Sequence, residues 1–412
     1  MRILVYEHVV GGGFAGEHFP SNILSEGYAM LRGLISDFKA AGWEVTTFLD
    51  SRLRRLSPPL AADIVVPINT KDCVDENLKK TSENVDCVYV IAPESGGTLR
   101  NLVGEVEASG GKSLNCKVEG IEKASNKMEV YRAAERVGLR TPETVVADIH
   151  EDIKVIRRFA RDLGYPLVFK PVDGVGSSGL SVLRDETQVV TAVEKVRRES
   201  EGEAFIIQKL VSGVASSVSL ISTGGEALPL TLNGQIVRLA SPRSDSSYEG
   251  GFVPLDHELR SEAFEAARLI VGALGGLVGY VGVDMVLTDE EPVIVEVNPR
   301  LTTSYVGLRK VVNFNPAQAV ADAVLERRLP REPCTDGYAL FRKVRVPKPP
   351  PRVLPEIYGL KGVFSPPFPV TGGRGSCALI LSHSSDMSRA EDELQKSKRS
   401  LLSIIRGGGC AW

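Results

Sequence analysis

The stretch Gly279-Tyr280-Val281-Gly282-Val283-Asp284-Met285-Val286-Leu287, followed by Thr288-Asp289-Glu290-Glu291 and then Pro292-Val293-Ile294-Val295-Glu296-Val297-Asn298-Pro299-Arg300, is two apolar runs split by a polar turn. It reads as a β-hairpin. With the pivot at Glu290, Asp284 stands opposite Glu296; alternation of side chains then puts Ile294 and Asn298 on that face and Val295 and Val297 on the other. Opposed carboxylates repel unless a cation separates them, and an all-oxygen set from Asp, Glu and Asn suits Mg²⁺ completed by phosphate and water. Arg300 follows closely enough to bind a phosphate or carboxylate bidentately. The plainer alternative is a solvated hairpin whose acids are surface charge, against which the apolar strand cores argue.

Working upstream, Phe169-Lys170-Pro171 is a strand end running into Asp173-Gly174-Val175-Gly176-Ser177-Ser178-Gly179. Backbone N–H groups of such a loop can turn toward phosphate oxygens, with Lys170 as a point charge beside them. The P-loop pattern is absent, and an ordinary Gly-Ser turn is the competing reading. The apolar strand over residues 205–211 breaks at Ser212-Gly213. Its exit at Gln208, Lys209, Leu210 and Val211 can offer backbone groups to an adenine edge, or can be core strand and nothing more.

Gly11, Gly13 and Gly16 satisfy G-x-G-x-x-G after the first strand, so a nicotinamide or flavin oxidoreductase has to be weighed. His18-Phe19-Pro20 separates these glycines from the next helix, and Asp50 lies well beyond the spacing of about 20 residues expected for a ribose contact. The glycine loop is instead expected to close over a substrate. Arg243, Tyr248, Gly250 and Gly251 fall in a polar stretch, residues 241–251, that is either a solvated connection or a substrate lid.

The chain has 412 residues, 43% hydrophobic and 25% charged, with 40 glycines. That length exceeds one ordinary core, and the glycine excess concentrates around the stretches just described. Forty-nine Lys+Arg against 52 Asp+Glu, net −3, leave no global drive toward nucleic acid or anionic lipid. The longest strongly apolar run, residues 269–283, falls short of the roughly 20 residues needed to span a bilayer, and the N-terminus lacks the design of a signal peptide. A cytoplasmic protein is expected. The 6 cysteines include no C-x-x-C pair, which speaks against a zinc site or disulfide framework.

Strand and helix signals alternate through the first part, which reads as an open parallel sheet, with a helix over residues 22–41 capped by Ser21 or Asn22 and ended by Gly42. One helix is expected from about residue 120 to 137. Alternating runs beyond it suggest antiparallel sheet. The fold class is therefore α/β plus α+β, with domains at 1–118, 119–330 and a small α/β extension at 331–412 that begins near a proline-rich stretch.

The order of the pieces, Lys127, Lys170, Gly-Ser loop, strand exit at 208–211, Asp284, then Glu296-Val297-Asn298-Pro299-Arg300, resembles the ATP-grasp superfamily of carboxylate-amine ligases. The resemblance implies an N-terminal pre-ATP-grasp parallel α/β domain and a two-lobed ATP-grasp core. It further implies that Lys127 and Lys170 contact ATP phosphates and that Gly174, Gly176, Ser177, Ser178 and Gly179 close over them. Gln208, Lys209, Leu210 and Val211 would hold the adenine, and Asp284, Glu296 and Asn298 would bind Mg²⁺ or Mn²⁺. Lys170 and Arg300 are the catalytic candidates; Arg243 and Tyr248 are substrate candidates.

Within the superfamily, Glu7-His8-Val9-Val10-Gly11-Gly12-Gly13-Phe14 and Leu24-Ser25-Glu26-Gly27 resemble an archaeal group that includes the tyramine–L-glutamate ligases of methanofuran biosynthesis. That likeness implies a small-molecule acid and amine as partners, joined through an acylphosphate with release of ADP and phosphate, without nucleic acid or membrane. The alternatives are a different acid–amine pair or a non-catalytic ATP-binding protein. Self-association as a homodimer is left open.

Overall fold

In the computed structural model, residues 1–412 are described except Asn22, residues 173–178, Glu201, Arg374 and residues 408–412. The Gly-Ser loop expected over phosphate therefore lies outside the described residues apart from Gly179, as does Cys410.

β1 (Arg2–Glu7), β2 (Glu44–Asp50), β3 (Ile64–Ile68) and β4 (Cys87–Ile91) form a parallel sheet in the order β3-β2-β1-β4. Both faces of β1 are covered: Ile3 and Val5 enter one core, Leu4 and Tyr6 another, and all four are fully buried. That double burial is why a parallel strand reads as a continuous apolar run. The sheet's order reverses between β1 and β4, which leaves a crevice at their C-terminal ends. Helix Leu24–Ala40 joins β1 to β2; Gly42, at φ +82°, takes the left-handed position after it as expected, but Ile23 occupies the N-cap without a side-chain bond. Ser21 therefore does not cap this helix.

The helix expected over residues 120–137 is two helices, Val118–Ser125 and Lys127–Arg136, broken at Asn126. Asn126 has extended backbone, φ −89° and ψ 102°, and its side chain accepts from the N–H groups of Met128 and Glu129. It is an N-cap, and it sets Lys127 at the start of a new helix.

β5 (Thr144–Asp148), β6 (Leu167–Pro171), β7 (Ser181–Leu183) and β8 (Ala204–Lys209) make a small antiparallel sheet, order β5-β8-β6-β7. Helices Ile153–Leu163 and Val189–Glu199 back it through Ile156, Ala160, Val193 and Val196.

β9 (Val214–Thr223), β10 (Ala227–Arg238), β11 (Ser247–Val253), β12 (Val278–Leu287), β13 (Pro292–Asn298), β14 (Tyr338–Pro347), β15 (Val363–Ser365) and β16 (Gly375–Ser384) form one antiparallel sheet, order β13-β12-β9-β10-β11-β14-β16-β15. Two stretches differ from expectation. Gly250 and Gly251 lie in β11 and not in a lid: a Cβ on Gly250 would stand 2.2 Å from the Phe341 carbonyl of β14, so the close pairing of these strands requires the glycine. The chain after residue 330 continues this sheet through β14 to β16, and its strands share cores with the N-terminal sheet through Phe341 and Leu379.

Candidate functional site

A cavity of about 550 Å³ lies between the parallel sheet, the small sheet and the large sheet. Its walls are Lys127, Lys170, Asp284, Glu296 and Asn298 toward the small sheet, and Glu7, Glu26, Glu94, Tyr248 and Arg300 toward the crevice of the parallel sheet.

The β12–β13 hairpin forms, and Asp284 pairs with Glu296 and Gly282 with Asn298. The register shifts just past Asp284, so that Met285 faces Ile294 and Val295 is the extra residue of a β-bulge. The expectation that Ile294 shares the acidic face is thereby corrected: Ile294 is fully buried in the core, while Val295 and Glu296 both line the cavity. The bulge is held from the small-sheet side. Tyr131 donates to the Val295 carbonyl at 3.2 Å, and Gln208 donates in turn to Tyr131 Oη at 2.8 Å and to Thr144 at 2.8 Å.

Asp284 accepts from Gln235 at 3.0 Å and from Asn298 Nδ2 at 3.2 Å. Burial and the facing Glu296 push its carboxyl up to about 7 in spite of those bonds. Burial also acts upward on Glu296, but Lys127, Lys170 and Arg300 outweigh it and hold that carboxyl below its ordinary value. Lys127 Nζ lies 3.5 Å from Glu296 Oε1 and donates to the Val172 carbonyl at 3.2 Å. Lys170 is buried, and burial plus the neighbouring Lys127 bring its ammonium down to about 8, with Glu296 and Asp284 opposing.

Two buried cations converging on two acids form a site for polyanion plus cation. Among the described residues, no group of three or more His, Cys, Asp and Glu is placed to hold a metal ion. The donor set still fits a hard divalent ion: two carboxylates, one of them raised by the other's charge, and an Asn whose amide nitrogen is occupied by Asp284, leaving its carbonyl oxygen as donor.

Arg300 lies 2.9 Å from Glu94, yet Nε and the facing carboxylate oxygen are both buried without a hydrogen bond. The two charges are close but not aligned, and Arg300 directs Nη1 to the Leu301 carbonyl at 3.1 Å. On the same side, Glu26 accepts from Thr303 at 2.6 Å and from Lys343 of β14 at 2.6 Å, and Lys343 stands 5.7 Å from the Tyr248 ring.

Other expected residues go elsewhere. Lys209 Nζ donates to the carbonyls of Leu163, Gly164 and Tyr165 at 3.2, 2.7 and 3.5 Å, closing the end of helix Ile153–Leu163 and not reaching the cavity. The Gln208 amide is taken by Tyr131 and Thr144, as above. Leu210 and Val211 follow β8 on the way to β9, half-buried, with Leu210 N–H on the Pro166 carbonyl at 3.1 Å. Arg243 is exposed in a turn that Lys195 anchors through the Ser244 carbonyl at 2.7 Å, and it does not line the cavity. Gly179 donates to Glu199 at 2.7 Å. Nor do Gly11, Gly13 and Gly16 cover the cavity: a Cβ on Gly11 would meet the Tyr6 ring at 2.6 Å and one on Gly13 the His8 ring at 2.3 Å, so this loop folds on itself. Glu94 is a cavity residue that motif reading did not reach, while Glu7 and Glu26 stood in the two stretches quoted for the resemblance with no role attached to either. Glu7 carried a further signal, an acid closing an otherwise apolar strand.

The ATP-grasp domain model matches residues 124–304, and the pre ATP-grasp 3 domain model matches residues 43–121. The tyramine–L-glutamate ligase of Methanocaldococcus jannaschii is 30% identical over 315 residues, 74% of this chain and 84% of that protein. The chain belongs to the ATP-grasp family. The ligase of the same name from Methanocaldococcus fervens is 29% identical over 309 residues, 74% of this chain and 89% of that one. A solved ATP-grasp superfamily protein from Archaeoglobus fulgidus shares the fold at 22% identity and TM-score 0.61, covering 92% of this chain and 99% of its own.

As an ATP-grasp protein the chain is an ADP-forming carboxylate–amine ligase that binds ATP with a divalent metal. The dinucleotide reading of its N-terminal glycines is set aside on two grounds, the family and the packing of that loop. No described helix is long and apolar enough to cross a membrane.

Proposed function

We propose that this ligase joins L-glutamate to tyramine, giving γ-glutamyltyramine for methanofuran synthesis. The observation that carries the reading is the 30% identity to a ligase of that name across most of both chains. The cavity is compatible with it. Glu7, Glu26 and Glu94 suit an ammonium, Tyr248, Met30 and Ile23 supply apolar and aromatic wall, and Arg300 suits a carboxylate.

In this reading Lys127 and Lys170 bind the ATP phosphates, the Gly-Ser loop including Gly174, Gly176, Ser177, Ser178 and Gly179 covers them, and the backbone at Leu210 and Val211 meets the adenine. Asp284, Glu296 and the Asn298 carbonyl would hold Mg²⁺ or Mn²⁺, which supplies neutralisation of phosphate charge. Phosphoryl transfer to the substrate carboxylate demands alignment more than a side-chain nucleophile, and the two lysines and Arg300 provide it. The resulting acylphosphate is attacked by the amine. Assembly as a homodimer belongs to the same proposal and is checked by light scattering.

Mass spectrometry of the products from L-glutamate, tyramine and ATP is the direct test. γ-Glutamyltyramine with stoichiometric ADP is the expected result; ADP release only with some other acid and amine would overturn the substrate pair.

A further inference from the structure

Glu7 ends β1 inside the cavity, 2% exposed, and the handling of ATP described above leaves it without a role. One oxygen, Oε2, accepts the Val10 N–H at 2.7 Å, which fixes the carboxylate. The other lies against the first helix at Gly27, where a Cβ would stand 2.6 Å from Oε1; only glycine leaves room for the acid. The position is the crevice between β1 and β4, where the strand order reverses and open sheets bind their ligands. The charged groups at that end include Arg300 at the close of the hairpin, Glu26 on the first helix with Lys343 of β14 paired to it, and Glu94 after β4. Burial raises the Glu7 carboxyl to about 7, with the N–H groups of Val10 and Val9 and the charge of Arg300 pulling the other way. A fixed carboxyl of that strength, beside an arginine and within the substrate end of a ligase cavity, is suited to accept a proton near neutral pH.

We propose that Glu7 is the catalytic proton acceptor that turns the attacking ammonium into its neutral amine. The inference rests on amide formation from an acylphosphate and not on the identity of the amine. The substrate R–NH₃⁺ passes one proton to the Glu7 carboxylate. The freed nitrogen lone pair forms the C–N bond at the acyl carbon, and the C–O bond to phosphate breaks with its electron pair on the phosphate. A second N–H proton goes to that phosphate, which leaves as hydrogen phosphate, and the Glu7 proton returns to solvent.

The test compares two nucleophiles with whichever acid supports ADP release in the wild-type ligase: an amine that is an ammonium at neutral pH, tyramine first, and hydroxylamine, which is already neutral. In Glu7→Gln, which keeps an acceptor for Val10, amide formation from the ammonium should fall roughly 100-fold or more while hydroxamate formation changes by less than about threefold. Retention of both activities, or equal loss of both, overturns the assignment. The wild-type enzyme gives a second reading that needs no variant to fold. Beyond any fall shared with hydroxamate formation, amide formation from the ammonium should show an added loss of rate as the pH falls through about 7; profiles that fall in parallel for the two nucleophiles overturn the proposal. A wild type that makes hydroxamate with glutamate and amide only with some other amine refutes the tyramine reading alone, and the comparison then proceeds with that amine.

Discussion

Lys127 Nζ and Glu296 Oε1 stand 3.5 Å apart, one from the first turn of a helix that Asn126 caps and the other from the strand after a bulge. The cap and the bulge are local backbone events, and together they bring an ammonium and a carboxylate from distant parts of the chain onto one cavity wall. Glu296→Gln keeps the shape and removes the charge that both Lys127 and Lys170 face. Turnover dependent on divalent metal should drop about 1,000-fold, roughly 4 kcal/mol of barrier, with the fold retained and its stability lowered because Lys127 and Lys170 lose a buried counter-charge. Unchanged metal-dependent kcat would show that the hairpin carboxylates do not serve the reaction.

Lys209 separates the two readings of the β8 exit. Its ammonium closes the carbonyl end of helix Ile153–Leu163, so Lys209→Met should lower unfolding stability by about 1 kcal/mol and leave the KM for ATP within about twofold. A tenfold rise in that KM at unchanged stability would return the side chain to the nucleotide.

The hairpin and the pairing of Asp284 with Glu296 were legible because both rest on side-chain alternation within a few residues, and the parallel sheet because short apolar strands alternate with helix signals along the chain. The bulge at Val295 was not, since it depends on how β12 and β13 meet and on the Tyr131 hydroxyl that holds its carbonyl. The break at Asn126 did leave a trace, an Asn followed three residues later by Glu129, the pattern of a helix start inside an apparently continuous helix. Lys209 illustrates the opposite case. A lysine at a strand end looks the same whether it meets a phosphate or the carbonyls of a neighbouring helix, and only the tertiary fold decides. Glu94 lies in a loop whose local sequence says nothing of the cavity, whereas Glu26 stood in the quoted Leu24-Ser25-Glu26-Gly27 stretch without a role.

Lys343 brings the C-terminal strands into the substrate end of the site. It pairs with Glu26 at 2.6 Å, with the two side chains 11% and 12% exposed. Lys343→Met would leave Glu26 buried with Thr303 as its remaining described donor of those two, a loss of about 3 kcal/mol when one partner of a buried pair is removed. The expected kinetic result is a KM increase for the acid or the amine with the KM for ATP unchanged, read from initial rates with each substrate varied in turn. A uniform loss across all three substrates would place Lys343 in general packing.

Glu7 also makes a prediction about stability that is independent of turnover. Burial raises its carboxyl to about 7 from an ordinary value of 4.5. The folded state therefore holds the proton more tightly than the unfolded chain, and any stability linked to that proton is fully present below about 4.5 and lost as the pH rises through about 7. Glu7→Gln removes this dependence. The variant should thus gain stability relative to wild type between pH 5 and pH 8, by at most about 3 kcal/mol at 1.4 kcal/mol per pKa unit, because the wild-type protein alone must bury a charge at the higher pH. Denaturant unfolding of both proteins at the two pH values measures the difference directly. A wild-type-to-variant gap that does not change with pH would mean that Glu7 has an ordinary carboxylate's strength, and an acid limb near pH 7 in amide formation would have to come from another group in the cavity.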